Sequence, residues 1–236
     1  MVGALNHAKC FNIRINSIHR NCLNSMYGGG IFGEIKNNIM NTFIKETPLV
    51  LTKVRFLDHY MVNHKGFIAG GCFKNIFNHQ KIKDIDLFFL NEKDFLDAND
   101  MFKKNDKYVF SYENANTISY KNKETNIRVE LIRKHFGTPI EILSMFDFSI
   151  TKMAYCRDGE NEAMTIIFHD KYFQDLANKK LVLEPNILYP VSTFERSFRY
   201  CRYGFGLCKE SKTNLINALK SASTDDMSTD LYFGID

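Results

Sequence analysis

A glycine pair followed closely by two aspartates constrains this chain more than any other feature. Gly70 and Gly71 end a short apolar run, and Asp84 and Asp86 begin a longer one. Short apolar runs rich in Ile and Phe predict buried strands, and the glycines allow a tight turn before Cys72–Phe77, which has the length of a short helix. The pattern therefore predicts a strand, a glycine turn, a short helix and a second strand.

The two aspartates stand one residue apart, so in a strand they project from the same face, about 6.5 Å from each other. Carboxylates at that distance repel unless a cation lies between them. Mg²⁺ prefers such hard oxygen ligands together with substrate phosphates, and paired ions promote in-line displacement at phosphorus. We expect a site for two Mg²⁺ ions, with Mn²⁺ as a possible substitute, that takes a third carboxylate from another strand.

Glu130 is the candidate for that third carboxylate. It lies in a segment that alternates polar and apolar residues, between Val129 and Leu131, where a charged side chain needs a partner. In the alternative interpretation, Asp84 caps a turn, Asp86 is solvated and Glu130 lies on an exposed face. We favour the metal site because the glycine pair, the aspartates and the strand context occur together.

The predicted helix after the glycine pair offers a seat for a triphosphate. The backbone N–H groups at a helix start lack partners and lie at the positive end of the helix dipole. Gly70 and Gly71 would let the phosphates approach, and Lys74 would add a positive charge. We therefore expect a nucleoside triphosphate as substrate.

Residues 70–89 resemble the head-domain signature of the polymerase-β-like nucleotidyltransferases. More narrowly, they resemble class II tRNA CCA-adding enzymes and bacterial poly(A) polymerases, in which a glycine pair, a basic residue and a short helix precede D-x-D. The block Phe146–Tyr155 is similar to that family's R-D-F-T-I-N-A-M-A-Y block, and Gln174–Leu181 resembles the segment before its neck helices. The resemblance extends over roughly residues 65–207.

This resemblance implies an α/β (α+β) nucleotidyltransferase head, with a mixed sheet flanked by helices, and a small helical neck. It also implies transfer of a nucleoside monophosphate from the triphosphate to an acceptor hydroxyl, with release of pyrophosphate. The acceptor that it favours is an RNA 3′ end, that of tRNA. We expect an irregular segment at 1–33, the head at 34–182, the neck at 183–220 and a disordered tail at 221–236.

The chain also departs from the family's motifs. Phe146 replaces an arginine and Thr151 an asparagine, and Lys152 would supply the missing charge. The base-reading E-D-x-x-R motif lacks its acidic pair, so the choice of base cannot be carried over. Arg196 and Arg199 remain candidates for holding triphosphate or an RNA backbone.

These arginines lie on a helix predicted from about residue 192 to residue 208. A solvated arginine face with aromatic residues in the core is the alternative there. Two alternatives for the function also stay open. In the first alternative, the chain modifies a protein or a small molecule instead of RNA. In the second, it is an inactive RNA-binding or structural component of a virus.

Composition sets further expectations. The 236 residues are 44% hydrophobic and carry a net charge of +4, which suits a globular protein and permits contact with nucleic acid. The six cysteines form no C-x-x-C pair, so we expect reduced thiols. No apolar run approaches the length of a membrane span, and we expect a cytoplasmic protein without membrane partners. The sequence does not indicate an oligomeric state.

The rest of the chain predicts regular elements. The expected helices cover two segments between Glu34 and Asn63, broken near Pro48, then 92–104 and a helix from Thr138-Pro139 to about Met145. A strand hairpin is expected over 107–120 and a further strand over 163–168. The glycines between residues 28 and 33 predict a flexible hinge.

Overall fold

An eight-stranded mixed sheet organises the chain and places the glycine turn beside the carboxylates. The structure is a computed structural model that describes residues 42–46, 51–158, 163–183 and 187–222. All of these residues belong to one compact unit, Met40–Asp236. Three predicted features lie outside the described residues. They are the N-terminal segment with its glycine hinge, the break near Pro48 and the tail beyond residue 222.

The strand order in the sheet is β1-β8-β7-β2-β3-β6-β5-β4. The central strands β3 and β6 run parallel, and the other neighbours in this sheet are antiparallel. A separate pair, β9 and β10, is parallel. The strands are β1 (Phe43–Glu46), β2 (Phe67–Ala69), β3 (Asp84–Phe89), β4 (Tyr108–Glu113), β5 (Thr117–Asn122), β6 (Arg128–Phe136), β7 (Met153–Arg157), β8 (Met164–His169), β9 (Lys180–Leu181) and β10 (Gly206–Leu207).

Helices connect and cover these strands. In chain order they are α1 (Leu51–Val54), α2 (Cys72–Phe77), α3 (Glu92–Lys104), α4 (Pro139–Ser144), α5 (Tyr172–Ala177), α6 (Pro190–Arg202) and α7 (Lys209–Ser221). Two short 3₁₀ segments, Arg55–Tyr60 and Ser149–Thr151, complete the regular structure of the described part. None of the helices described here has the length and apolar composition needed to cross a membrane.

The two faces of β3 have different neighbours, as the alternation of a strand requires. On one face, Ile85, Leu87 and Phe89 are fully buried, and Phe89 meets Phe95 of α3 edge to face at 5.6 Å. On the other face, Phe88 follows the two aspartates, and its ring lies 5.8 Å from that of Phe146. The core beneath α3 therefore holds the strand in place, while the opposite face remains available for polar chemistry.

Most predicted elements are present. The glycine-turn helix and the helix over 92–104 have the predicted bounds, and the hairpin turn is closed by Asn114, whose Oδ1 accepts hydrogen bonds from two backbone N–H groups, of Asn116 and Thr117. The predicted mixed α/β architecture, a mixed sheet with helices, is present.

Two element predictions are wrong. Phe43 and Ile44 were expected in a helix, but they lie in β1, which pairs antiparallel with β8 at the edge of the sheet. The backbone partners in β8 outweigh the weak helical spacing of a four-residue segment. The helix predicted to reach residue 208 ends at Arg202, because Gly204 takes a positive φ of 84° and the chain turns into β10.

Candidate active site

The turn between β2 and α2 depends on glycine. Gly70 has a φ of +100°, and its N–H donates to the carbonyl of Met153 at 3.0 Å. A Cβ at Gly70 would lie 3.4 Å from the Phe146 ring and 3.5 Å from Oδ2 of Asp86. Glycine adopts this positive φ without strain, and the turn therefore lies directly against the carboxylate.

The sheet register brings the predicted carboxylates onto neighbouring strands. Asp86 of β3 is paired in register with Glu130 of β6, and Asp84 is paired with Arg128. In parallel strands such partners project from the same face, so all four side chains share it. Asp86 is 6% exposed, while the side chains of Asp84 and Glu130 are 30% and 16% exposed.

Asp84 and Glu130 both contact Arg128. Nε and Nη2 of Arg128 each lie 2.6 Å from Oδ1 of Asp84, and Nε lies 3.8 Å from Oε1 of Glu130. Tyr112 of β4 donates its hydroxyl hydrogen bond to the same Glu130 oxygen at 2.8 Å. The bond to Asp84 raises the pKa of Arg128, while burial and the bond to Glu130 raise the pKa of Tyr112 to about 12.

These contacts decide how well the cluster suits a metal. The carboxylate oxygens are the ligands that Mg²⁺ prefers. Yet within the ranges that the structure describes, no group of three or more His, Cys, Asp or Glu side chains is arranged to hold a metal ion. The donor atoms thus fit Mg²⁺ in kind, while Arg128 and Tyr112 hold two of the carboxylates.

A cavity opens beside Asp86. Its walls come from the glycine turn, β3, β6, α4, the segment before β7, and α6. The lining residues are Gly70, Gly71, Asp86, Phe88, Lys134, His135, Ile142, Met145, Phe146, Asp147, Phe148, Thr151, Tyr189, Arg196, Arg199 and Tyr200.

Both cationic and aromatic groups line this cavity. Arg196 of α6 forms an ion pair with Asp147, and Lys134 of β6 lies 4.5 Å above the Tyr189 ring. Burial raises the pKa of Asp147, which the charge of Arg196 opposes. Arg199, one turn along α6, lines the same wall. The cavity thus combines positive charge for phosphates with apolar surface for a base.

Comparisons with known proteins bear on this site. The sequence model of a family described as Gabija anti-defense 2 family protein matches residues 32–179 of this chain. This chain belongs to the Gabija anti-defense 2 family. A protein named Gabija anti-defense 2, from Bacillus phage SPbetaL7, is 24% identical over 138 residues, which are 58% of this chain and 33% of that protein.

Solved structures with a similar fold provide a second comparison. A CCA-adding enzyme in an apo form matches with a TM-score of 0.55 and 17% identity, over 80% of this chain and 50% of its own. A CCA-adding enzyme in complex with ATP matches with a TM-score of 0.54 and 16% identity, over the same shares. The chain spans about half the length of these structures and one third of the phage protein. The fold is that of the nucleotidyltransferase head of CCA-adding enzymes.

The structure separates the predicted nucleotide-binding residues into two groups. Gly70, Gly71, Arg196 and Arg199 line the cavity, but Lys74 and Lys152 are not among the residues that line it. Lys74 is 5% exposed, donates to Oδ1 of Asn75 at 2.6 Å, and lies 4.6 Å from the Tyr203 ring centre.

Lys152 is 3% exposed, and its backbone carbonyl accepts a hydrogen bond from His169 at 2.9 Å. Its positive charge acts on Asp147 by lowering that carboxyl's pKa, behind the stronger effects of burial and Arg196. Lys152 therefore influences the cavity through Asp147.

Sequence reasoning missed Arg128, Tyr112 and Lys134. The alternation of β6 contained a signal for Arg128, which shares the strand face of Glu130. It contained none for Lys134, because the register of β6 against β3 shifts between Leu131 and Phe136. No local signal pointed to Tyr112, because its contact with Glu130 depends on β5 lying between the two strands.

The aromatic residues on and just after α6 were expected in the core. Tyr200 and Phe205 are buried there, but Phe198 and Tyr203 are 55% and 44% exposed.

Proposed function

We propose that this chain binds a nucleoside triphosphate in the cavity and transfers its nucleoside monophosphate to an acceptor hydroxyl, with release of pyrophosphate. The observation that carries this proposal is that the cavity meets the Gly70–Gly71 turn, the buried carboxylate of Asp86 and the cationic wall of α6. The nucleotidyltransferase head fold supports the same reaction class.

Each wall has a role in this proposal. The glycine turn lets the phosphates approach the backbone, since no side chain stands between them and Asp86. Lys134, Arg196 and Arg199 offset the negative charge of the triphosphate. Phe88 and Phe146 give the ligand an apolar surface to pack on.

The metal requirement is part of the proposal. Asp84, Asp86 and Glu130 would hold two Mg²⁺ ions, and Mn²⁺ would substitute for them. When bound, such ions neutralise charge on the phosphates and lower the pKa of an attacking hydroxyl. Asp84 would first have to leave Arg128, since the guanidinium now holds that carboxylate.

The acceptor that we propose is an RNA 3′ end, that of tRNA. It is supported by the likeness in fold to CCA-adding enzymes. The family name supports a role against a bacterial defence system, and we propose that the transfer reaction serves it.

A transfer assay tests the proposal directly. The protein is incubated with each α-labelled nucleoside triphosphate, Mg²⁺ and tRNA or total RNA, and label on RNA is measured. Asp86→Asn is expected to reduce transfer at least about a hundredfold, as loss of an essential catalytic group does. The matched control is Asp97→Asn, an exposed aspartate of α3, which should leave transfer unchanged.

Transfer that is absent with every nucleotide and acceptor, or unchanged in Asp86→Asn, would refute the proposal. Label on protein or on a small molecule would instead identify a different acceptor for the same chemistry.

A second candidate is nucleotide binding without transfer. The contacts of Arg128 with Asp84 and of Tyr112 with Glu130 favour it, because they engage two of the three carboxylates. Saturable nucleotide binding without label transfer to any acceptor would select this candidate.

A further inference from the structure

The strand face that carries the three carboxylates also carries a cation of the protein's own. Arg128 stands beside Asp84 in the register of β3 and β6, so the backbone places the guanidinium next to that carboxylate. Both Nε and Nη2 are 2.6 Å from Oδ1 of Asp84. Charge-assisted hydrogen bonds of this length are among the strongest that side chains make.

The same guanidinium also approaches the third carboxylate. Its Nε is 3.8 Å from Oε1 of Glu130, the oxygen that accepts the hydrogen bond of Tyr112. Arg128 therefore lies between Asp84 and Glu130, which belong to different strands. A cation that bridged these carboxylates would need the space and the lone pairs that Arg128 now uses.

The guanidinium remains charged at every pH at which the protein is folded. Its hold on Asp84 therefore cannot be relieved by deprotonation, only by movement of the side chain. Movement is possible, because the Arg128 side chain is 43% exposed. Arg128 and a divalent metal ion are both positively charged and would bind the same carboxylates. Each cation therefore weakens the binding of the other.

We propose that Arg128 is a resident counter-ion that competes with divalent cations for Asp84 and Glu130 and sets the metal affinity of the site. This inference rests on the proposed function in assuming that these carboxylates bind metal. Without nucleotide, Arg128 holds Asp84 and metal binds weakly. With nucleotide, phosphate oxygens add ligands, and the balance shifts toward release of Asp84 from Arg128.

Metal titration without nucleotide tests the inference. Mn²⁺ binding is followed by electron paramagnetic resonance in the wild type, in Arg128→Gln and in Arg133→Gln. Arg133 is the matched control, since it lies on the same strand but pairs with Glu113 and with backbone carbonyls of the hairpin. Arg128→Gln should bind Mn²⁺ at least about tenfold more tightly than the wild type, and Arg133→Gln should match the wild type.

Two further variants keep the result decisive. Adding Asp84→Asn to Arg128→Gln should abolish the gain, because the freed carboxylate is removed. Arg128→Lys keeps the charge but loses the planar fork, and should give an affinity between those of the wild type and Arg128→Gln. Circular dichroism establishes that each variant is folded.

Equal Mn²⁺ affinity in the wild type, Arg128→Gln and Arg128→Lys would overturn the inference. A gain that survives Asp84→Asn would also overturn it, because the metal would then bind elsewhere. The outcome is separate from that of the transfer assay. A protein that transfers no nucleotide can still show the change in Mn²⁺ affinity, and an active one can lack it.

Discussion

Gly70 determines the geometry of the site by having no side chain. Its φ of +100° is disfavoured for residues with a Cβ, although an added methyl group would meet the Phe146 ring and Asp86 only at ordinary contact distances. The sequence predicted a turn here from the glycine pair. It did not predict that the turn would touch Asp86, since this contact arises from the pairing of β2 with β3.

Gly70→Ala should therefore lower the free energy of unfolding by roughly 1–3 kcal/mol, because the new side chain strains the backbone. It should also weaken nucleotide binding. Urea denaturation measures the first effect and titration with a fluorescent nucleotide the second. Gly206→Ala is the matched control, because a Cβ there meets nothing within 4 Å, and it should stay within about 0.5 kcal/mol of the wild type.

The position of Lys74 differs from the predicted one. It was expected at the phosphates, but it is buried under Tyr203 and does not line the cavity. Burial, with a contribution from Lys179, lowers its pKa from 10.5 to about 8. Folding thus disfavours the charged form. Below about pH 8 the amine is protonated in both the folded and the unfolded chain, and the cost of burying it is constant.

Between about pH 8 and 10.5 the unfolded chain binds more protons, so this contribution to the free energy of unfolding rises with pH. Lys74→Met should stabilise the protein by roughly 1–3 kcal/mol at neutral pH, with an advantage that shrinks as the pH rises. Urea denaturation from pH 7 to 10 measures it. Lys103→Met, at an exposed position of α3, should show no such trend. A constant advantage of Lys74→Met across this range would contradict the prediction.

Among the elements, α4 shows a local signal and a tertiary role together. The Thr138 side chain accepts a hydrogen bond from the backbone of Glu141, and the Glu141 side chain accepts one from the backbone of Thr138. The helix start was readable from Thr138-Pro139 in the sequence, while the reciprocal bonds with Glu141 were not predicted. The helix places Ile142 in the cavity wall, with Met145 just beyond its end, which the sequence did not indicate.

Thr138→Ala should lower the free energy of unfolding by about 1 kcal/mol, because a backbone N–H of the first turn loses its partner. It should weaken nucleotide binding slightly through the cavity wall. Thermal denaturation measures the stability. Thr213→Ala serves as the control, since Thr213 is exposed inside α7 and bonds a carbonyl of its own helix. A loss in Thr213→Ala as large as that in Thr138→Ala would argue against the capping explanation.

At the scale of the whole molecule, the cavity joins elements from distant parts of the chain. The glycine turn, β3, β6, α4 and α6 each contribute a wall, so a ligand bound there stabilises the folded state as a whole. Nucleotide binding should therefore appear as a rise in the unfolding temperature, independently of any transfer activity.

ATP or CTP at about 100 times its dissociation constant should add about 2.7 kcal/mol to the free energy of unfolding. Arg199→Gln should remove most of this gain, because it deletes a positive charge from the cavity wall. Arg202→Gln is the matched control, since Arg202 is exposed on the same helix and does not line the cavity. Equal nucleotide stabilisation in both variants would place the ligand elsewhere.

The sequence by itself determined the elements around the site. Alternation predicted β3 and β6, the glycine pair predicted the turn, and the spacing of Asp84 and Asp86 put them on one strand face. These are local properties, set by the conformations that a few adjacent residues prefer.

Only the tertiary structure decided what these residues contact. The register of β3 and β6 set Arg128 against Asp84, and the order of the strands brought Tyr112 to Glu130. Tertiary packing also buried Lys74 outside the cavity lining and formed β1 where a helix was expected. Such outcomes depend on partners far along the chain, whose packing and hydrogen bonds outweigh local preference.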